Sequence, residues 1–149
     1  MAALALLGNE GFIPLFALLT NQNRFVRYNV AALMRHQGTN ARPAIPVLVQ
    51  GLTQPDREMA RISADTLGIL ALEPNIVVPA LTTNLQHPHK DVRASAVAAL
   101  GGFGNEACHA VPALRTLLTS ADHRLRKEVT NALLRIAPEA LTPAPPLRD

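Results

Sequence analysis

The sequence repeats itself every 33 residues, and this period constrains the fold more than any other feature of the chain. Two apolar columns show the repeat: Val26, Met59, Val92 and Leu125, and then Met34, Leu67, Leu100 and Leu133. Prolines recur at the same interval at Pro46, Pro79 and Pro112. A fixed period of about 20 to 50 residues is typical of arrays of stacked supersecondary units.

Each repeat contains the pattern of two helices. Pro112 suits a first helical turn, where its missing N–H loses no hydrogen bond, and Leu114, Leu117 and Leu118 follow with helical spacing. We name this helix A. A second helix, helix B, follows a column that is rich in capping residues: Asn23, Asp56, His89 and Asp122. Three of these four are preferred N-caps.

Helix B has one apolar stripe. Its inward positions fall 0, 4, 8 and 11 residues after the first anchor and, at about 100° per residue, lie in one sector of the helix. One helix pair cannot bury such a stripe alone, so neighbouring pairs must stack. The sequence therefore predicts an all-α fold, an α-solenoid of about four 33-residue repeats. The expected boundaries are a partial repeat over 1–11, repeats over 12–41, 42–74, 75–107 and 108–137, and a tail or further repeat over 138–149.

Composition narrows the function classes. Aromatic residues are 3% of the chain, so the core is expected to consist of Leu, Val, Ile and Ala. A single cysteine, Cys108, excludes an internal disulfide and a zinc site made of thiolates. The five histidines are not spaced as metal ligands, and no nucleophile lies in a catalytic motif. We therefore expect no catalytic residue, no metal and no cofactor.

The chain ends give weaker predictions. The apolar stretch over residues 1–7 lacks a basic flank and is too short to be a secretory signal or a membrane span. A cytoplasmic location and no membrane partner are therefore expected. Neither end carries a polar capping repeat. This predicts a fragment of a longer array, or terminal repeats that associate end to end.

Several motifs resemble HEAT repeats, most closely the short bacterial kind that includes the phycobilisome lyase HEAT-like repeats. The motifs are Val92-Arg93, Ala99-Leu100, Gly104 and Ala110-Val111-Pro112-Ala113-Leu114. The resemblance covers roughly residues 2–137, and the second repeat departs most, with Ala71 where glycine is expected. It implies a noncatalytic protein-binding scaffold whose B helices line a concave face. The alternative is an accessory subunit of a complex similar to a bilin lyase.

The candidate partner site follows from that geometry. Outward positions lie 2, 6 and 9 residues after the first anchor of helix B. The partner-binding residues expected on this face are Tyr28, Arg61, Asp65, Ala94, Ala98, Lys127 and Asn131. Ala94, Ala98 and Gly101 predict a shallow floor for a partner segment. Equally, these small residues could serve only to curve the solenoid.

Two columns of basic residues follow the helix B caps. The first contains Arg24, Arg57 and Lys90, with His123, and the second contains Arg27, Arg93 and Arg126. A cation at a helix N-terminus is locally unfavourable by about 0.3–1 kcal/mol, which suggests an anionic partner. We favour a structural interpretation, in which Arg93 and Arg126 pair with aspartates at the A–B turns. With 14 Lys and Arg against 11 acidic residues and one Tyr, nucleic acid is the least favoured partner.

Overall fold

The fold is that of a computed structural model in which residue 15 and residues 17–141 are described. The described residues form helices and turns without a strand. The α-helices are α1 (Arg24–Arg35), α2 (Ile45–Gly51), α3 (Arg57–Leu70), α4 (Pro74–Asn84), α5 (Lys90–Gly102), α6 (Val111–Thr116) and α7 (His123–Ile136). Short 3₁₀ helices are Leu18–Thr20, Gly38–Ala44, Gly104–Ala110, Leu117–Thr119 and Pro138–Leu141. The partial repeat expected over 1–11 and most of the tail lie outside the described residues.

The B helices are α1, α3, α5 and α7, and each starts after the expected cap. The side chains of Asn23, Asp56 and Asp122 accept hydrogen bonds from backbone amides of the first helical turn. His89 makes no such bond before α5. Side-chain caps contribute about 1 kcal/mol each. In three of the four B helices, the first turn is therefore stabilised by hydrogen bonds to the capping side chain.

The apolar stripe is buried as predicted in α5 and α7. In α5, Val92, Ala96 and Leu100 have no exposed surface, and Phe103 is buried just beyond the helix. Leu125, Val129, Leu133 and Ile136 of α7 are also buried. This confirms the all-α solenoid of stacked helix pairs.

The B helices of neighbouring repeats pack directly on one another. A Cβ built on Gly68 of α3 would lie only 2.7 Å from Ala99 Cβ of α5, and one built on Gly102 would meet the carbonyl group of Gly68. Between α5 and α7, a Cβ on Gly101 would lie 3.3 Å from Ala132 Cβ. The A helices of successive repeats contact one another much less. Contacts between successive B helices therefore hold the repeats of the array together.

The A helices do not all follow the proline period. Pro46 of α2 and Pro112 of α6 lie in the first turn, as expected. In the third repeat, however, α4 begins at Pro74, so Pro79 lies inside the helix. The first-turn position of Pro112 therefore does not extend to Pro79, because Glu73 adopts a left-handed conformation and Pro74 starts the helix one turn earlier.

Ala71 occupies the same turn as the glycines of the other repeats. Gly38, Ala71 and Gly104 have φ values of 54°, 47° and 56°. An L-residue in this left-handed region costs about 1–2 kcal/mol relative to ordinary helical backbone. The turn of the second repeat is therefore preserved despite its sequence, with local strain at Ala71.

Candidate functional site

Two grooves lie on the B-helix face and share Asp65 and Ala98. The first, of about 480 Å³, runs along the N-terminal halves of α3, α5 and α7, and we call it the charged groove. It is lined by Arg61, Asp65, Lys90, Asp91, Ala94, Ser95, Ala98, Asp122, Arg124, Leu125 and Glu128. The second, of about 500 Å³, runs along the C-terminal halves of the B helices, and we call it the apolar groove.

Most charges in and beside the charged groove are paired within the protein. Arg61 donates to Glu58 at 2.6 Å and to Asp65 at 2.9 Å, within α3. The hydrogen bond from Arg61 lowers the pKa of Glu58. Arg57 of α3 donates to Asp91 of α5 at 2.7 Å, which joins two repeats. Burial opposes ionisation of Asp91, but the hydrogen bond from Arg57 and those from backbone amides keep its pKa below the ordinary value.

The carboxylate of Asp122 is engaged as a helix cap. One of its oxygens accepts from the backbone amides of Leu125 and Arg124, and these bonds, with the nearby charges of Lys90 and Arg93, lower its pKa. The lining of the charged groove contains three cationic and four acidic side chains. The groove is therefore close to neutral in net charge, and some of its charged side chains are paired with each other or with adjacent residues.

The apolar groove has a different lining. Its floor consists of Gly68, Ala98, Ala99 and Gly102, with the exposed side chain of Ile69 beside it. Arg35 of α1 and Arg135 of α7 complete the lining from the first and last B helices. The acidic residue in this groove is Asp65, which Arg61 already engages.

The structure places four of the seven expected partner-binding residues in the charged groove: Arg61, Asp65, Ala94 and Ala98. Tyr28 is exposed on α1, and Lys127 and Asn131 are exposed on α7, outside the lining of either groove. On α7 their places are taken by Arg124 and Glu128. The groove is centred on α5, so α3 and α7 border it from opposite sides and with opposite flanks. Lining residues on these two helices therefore lie at different distances along the sequence from the first anchor of helix B.

Gly101 does not contribute to the expected floor. It is buried, and it faces Ala132 of α7 at the contact between the two helices. Ala94 and Ala98 do line the charged groove. The small residues of α5 thus do two things, since some allow close helix packing and others leave open space on the surface.

The second basic column is anchored by turn carbonyls. Nη1 of Arg27, Arg93 and Arg126 each donates to two carbonyl oxygens of the A–B turn before its own helix. Arg27 also pairs with Asp56 at 2.8 Å. Among the described residues, no Asp lies within 4.0 Å of Arg93 or Arg126, so the ion pairs expected for these two are wrong. In Arg93 and Arg126 the guanidinium reaches back over its own helix start, and the turn carbonyls are its hydrogen-bond acceptors.

The first basic column is heterogeneous. The guanidinium of Arg24 lies 5.0 Å from the ring centroid of Phe25, an arrangement typical of a cation–π contact. Arg57 is paired with Asp91, and Lys90 lines the charged groove. The column is therefore not a continuous strip of free cations.

Over residues 17–141, no three His, Cys, Asp or Glu side chains are grouped so that they could hold a metal ion. Within the same part of the chain, no helix has the length and apolar character needed to cross a membrane.

A family model of HEAT repeats matches residues 78–148, which confirms the resemblance to HEAT repeats. The narrower resemblance to phycobilisome lyase repeats stays a prediction. No curated protein sequence matches the chain.

Solved structures similar to this chain include two engineered proteins and a designed armadillo repeat protein. One engineered protein is 23% identical, with a TM-score of 0.66, over 82% of this chain and 60% of its own length. A second is 26% identical, with a TM-score of 0.63, over 81% of this chain and 36% of its own. A designed armadillo repeat protein in complex with the peptide (KR)4 is 19% identical, with a TM-score of 0.66, over 87% of this chain and 63% of its own. The chain thus spans less than two thirds of these three proteins.

Proposed function

We propose that this array of HEAT-like repeats is a noncatalytic scaffold that binds a segment of another protein on its B-helix face. The single observation that carries the proposal is the pair of adjoining grooves, which together cross all four B helices. Repeat proteins commonly use such an extended inner surface for binding.

The chemistry of the face suits a peptide segment. Ala94, Ala98 and Ala99 leave room for a partner backbone to approach the helices closely. Arg61 and Asp65 hold each other in place, so their remaining polar atoms are oriented before a partner arrives. Prearranged polar groups around a small apolar floor favour binding because little side-chain entropy is lost on association.

The structural neighbour in complex with (KR)4 is consistent with this mode, since it has the same fold and its own partner is a peptide. At 19% identity this likeness concerns the fold and does not supply the partner. The proposal therefore rests on the grooves of this chain.

The test uses peptides selected from a random phage-displayed library against the whole immobilised chain. Ala98→Arg is the informative variant, because Ala98 is exposed and lines both grooves, so a long side chain fits on the surface but fills the binding space. Thr83→Arg is the matched control on the outer surface of α4. We expect selected peptides to lose about tenfold or more in affinity for Ala98→Arg and to keep their affinity for Thr83→Arg. Equal binding to both variants and to the unmodified chain would refute the proposal.

A further inference from the structure

The two arginines of the apolar groove are without protein partners. Arg35 comes from the last turn of α1 and Arg135 from the last turn of α7. Neither makes a hydrogen bond or an ion pair with another described residue. Arg27, Arg57 and Arg61, by contrast, all have carboxylate partners.

Arg35 also carries a buried donor without an acceptor. Its Nε atom is inaccessible to solvent and finds no hydrogen-bond partner in the described part of the chain. Leaving a buried polar group unpaired is costly, and more so when it belongs to a charged group. The helix dipole favours an Arg at a helix C-terminus, but it does not supply the missing acceptor.

The floor between these arginines is apolar and low. Gly68, Ala98, Ala99 and Gly102 carry no side chain larger than a methyl group. Ile69 stands at the edge of this floor with 57% of its surface exposed. A partner side chain such as Leu could therefore lie against Ile69 while the partner backbone approaches α3 and α5.

Charge complementarity decides what kind of segment fits. The groove contains two unpaired cations, and its carboxylate, Asp65, is engaged by Arg61. An acidic segment would meet two free guanidinium groups, whereas a basic segment would meet the same two groups with like charge.

We propose that the apolar groove binds an extended acidic peptide segment, with carboxylates on Arg35 and Arg135 and an apolar side chain between them against Ile69. This deepens the proposed function and rests on it. Packed helices lie about 8–10 Å apart, so α1 and α7 are separated by roughly 25 Å across three such steps. An extended chain rises about 3.3 Å per residue, so roughly eight residues span the groove.

The experiment uses labelled synthetic peptides and the whole chain. One peptide alternates Glu and Leu, and its counterpart has Lys in place of Glu. Fluorescence anisotropy gives their affinities for the unmodified chain and for the double variant Arg35→Glu with Arg135→Glu. Arg115→Glu is the matched charge reversal, because Arg115 is exposed on α6, away from both grooves.

We expect the Glu–Leu peptide to bind the unmodified chain more tightly than the Lys–Leu peptide. The double reversal should weaken binding of the Glu–Leu peptide by about tenfold, since it removes two ion pairs and puts like charges in their place. Arg115→Glu should change its affinity less than about twofold, because a distant exposed charge is largely screened. Arg135→Gln provides a milder second variant on an exposed side chain, with an expected loss of a few-fold in affinity for the Glu–Leu peptide.

Three results would overturn the inference: tighter binding of the Lys–Leu peptide, no binding of either peptide, or no effect of the Arg substitutions. If library-selected peptides still lose affinity for Ala98→Arg in these cases, only the acidic partner is wrong. If Ala98→Arg has no effect on them either, the proposed function fails with it.

Discussion

The charged groove and the apolar groove lie on the same face of the four B helices, but their charged side chains differ in whether they have partners within the protein. Carboxylates next to the charged groove already accept hydrogen bonds from Arg57 and Arg61. In the apolar groove, Arg35 and Arg135 lack such partners among the described residues. The charged groove also contains Lys90, Arg124 and Glu128, whose side chains make no ion pair with a described residue, so its unpaired charges are of both signs. The unpaired charges of the apolar groove are cations alone, and this is the difference between the two grooves.

Helix packing explains why the apolar floor exists. Gly68, Ala99 and Gly102 bring α3 and α5 into close contact, and the same small side chains leave space on the exposed side. The floor is therefore a consequence of packing that is needed for stability. Substitutions beneath and within the grooves should separate these two roles.

The largest expected effect is on the core that supports both grooves. Leu100 is fully buried, so Leu100→Ala should lower the free energy of unfolding by about 2–5 kcal/mol through lost burial and a cavity. Urea denaturation followed by circular dichroism measures this. The exposed Ala98→Arg substitution is the control and should change stability by less than about 0.5 kcal/mol. A loss below about 1 kcal/mol for Leu100→Ala would mean that the core is misassigned.

Gly68→Ala tests the close helix contact. Alanine usually stabilises a helix by about 1 kcal/mol relative to glycine. Here the new methyl group would meet the backbone of Ala99, so we expect a net loss of about 1–3 kcal/mol from overpacking. Gly101→Ala is the matched control, because its methyl group would lie 3.2 Å from Ala132 Cα and needs only a small adjustment. A gain in stability for Gly68→Ala, measured by urea denaturation, would contradict the close contact.

Three carboxylates in and beside the charged groove predict a dependence of stability on pH. Glu58, Asp91 and Asp122 have pKa values below their ordinary ones, so each stabilises the folded state when ionised. This stabilisation is complete above the unfolded-state pKa values, about 4, and is lost as the pH falls through the lower folded-state values. Unfolding measured from pH 7 to pH 3 should therefore show declining stability only below about pH 4.5. Glu58→Gln should make this decline shallower, and an unchanged profile would count against the Glu58–Arg61 pair.

The smallest expected effect is a gain at the C-terminal end of α3, the end nearest the apolar groove. Ala71→Gly should raise the free energy of unfolding by about 0.5–1 kcal/mol, because glycine removes the left-handed strain but also gains unfolded-state entropy. Gly38→Ala is the converse substitution and should destabilise, since Gly38 has the same conformation. Thermal unfolding detects both changes. A stability loss for Ala71→Gly would show that the turn is not strained.

The 33-residue period was sufficient to predict the stacking, the B-helix caps and the buried stripe, because these depend on local spacing. The period does not predict the start of α4, since the left-handed Glu73 that precedes Pro74 leaves no periodic signal. Of the candidate site, Arg61, Asp65, Ala94 and Ala98 follow from outward helical offsets. That Arg124, Glu128 and Arg135 line the grooves could not be predicted, because this depends on which flank of α7 faces α5.

The most direct test of the difference between the grooves is an amide NMR titration of the whole chain with the Glu–Leu peptide. We expect the largest shift changes at Gly68, Ile69, Ala99 and Gly102 in the apolar groove, and small changes at Lys90, Ser95 and Arg124 in the charged groove. Changes concentrated at Lys90, Ser95 and Arg124 instead would show that the partly paired groove is the one that binds, and would contradict the account.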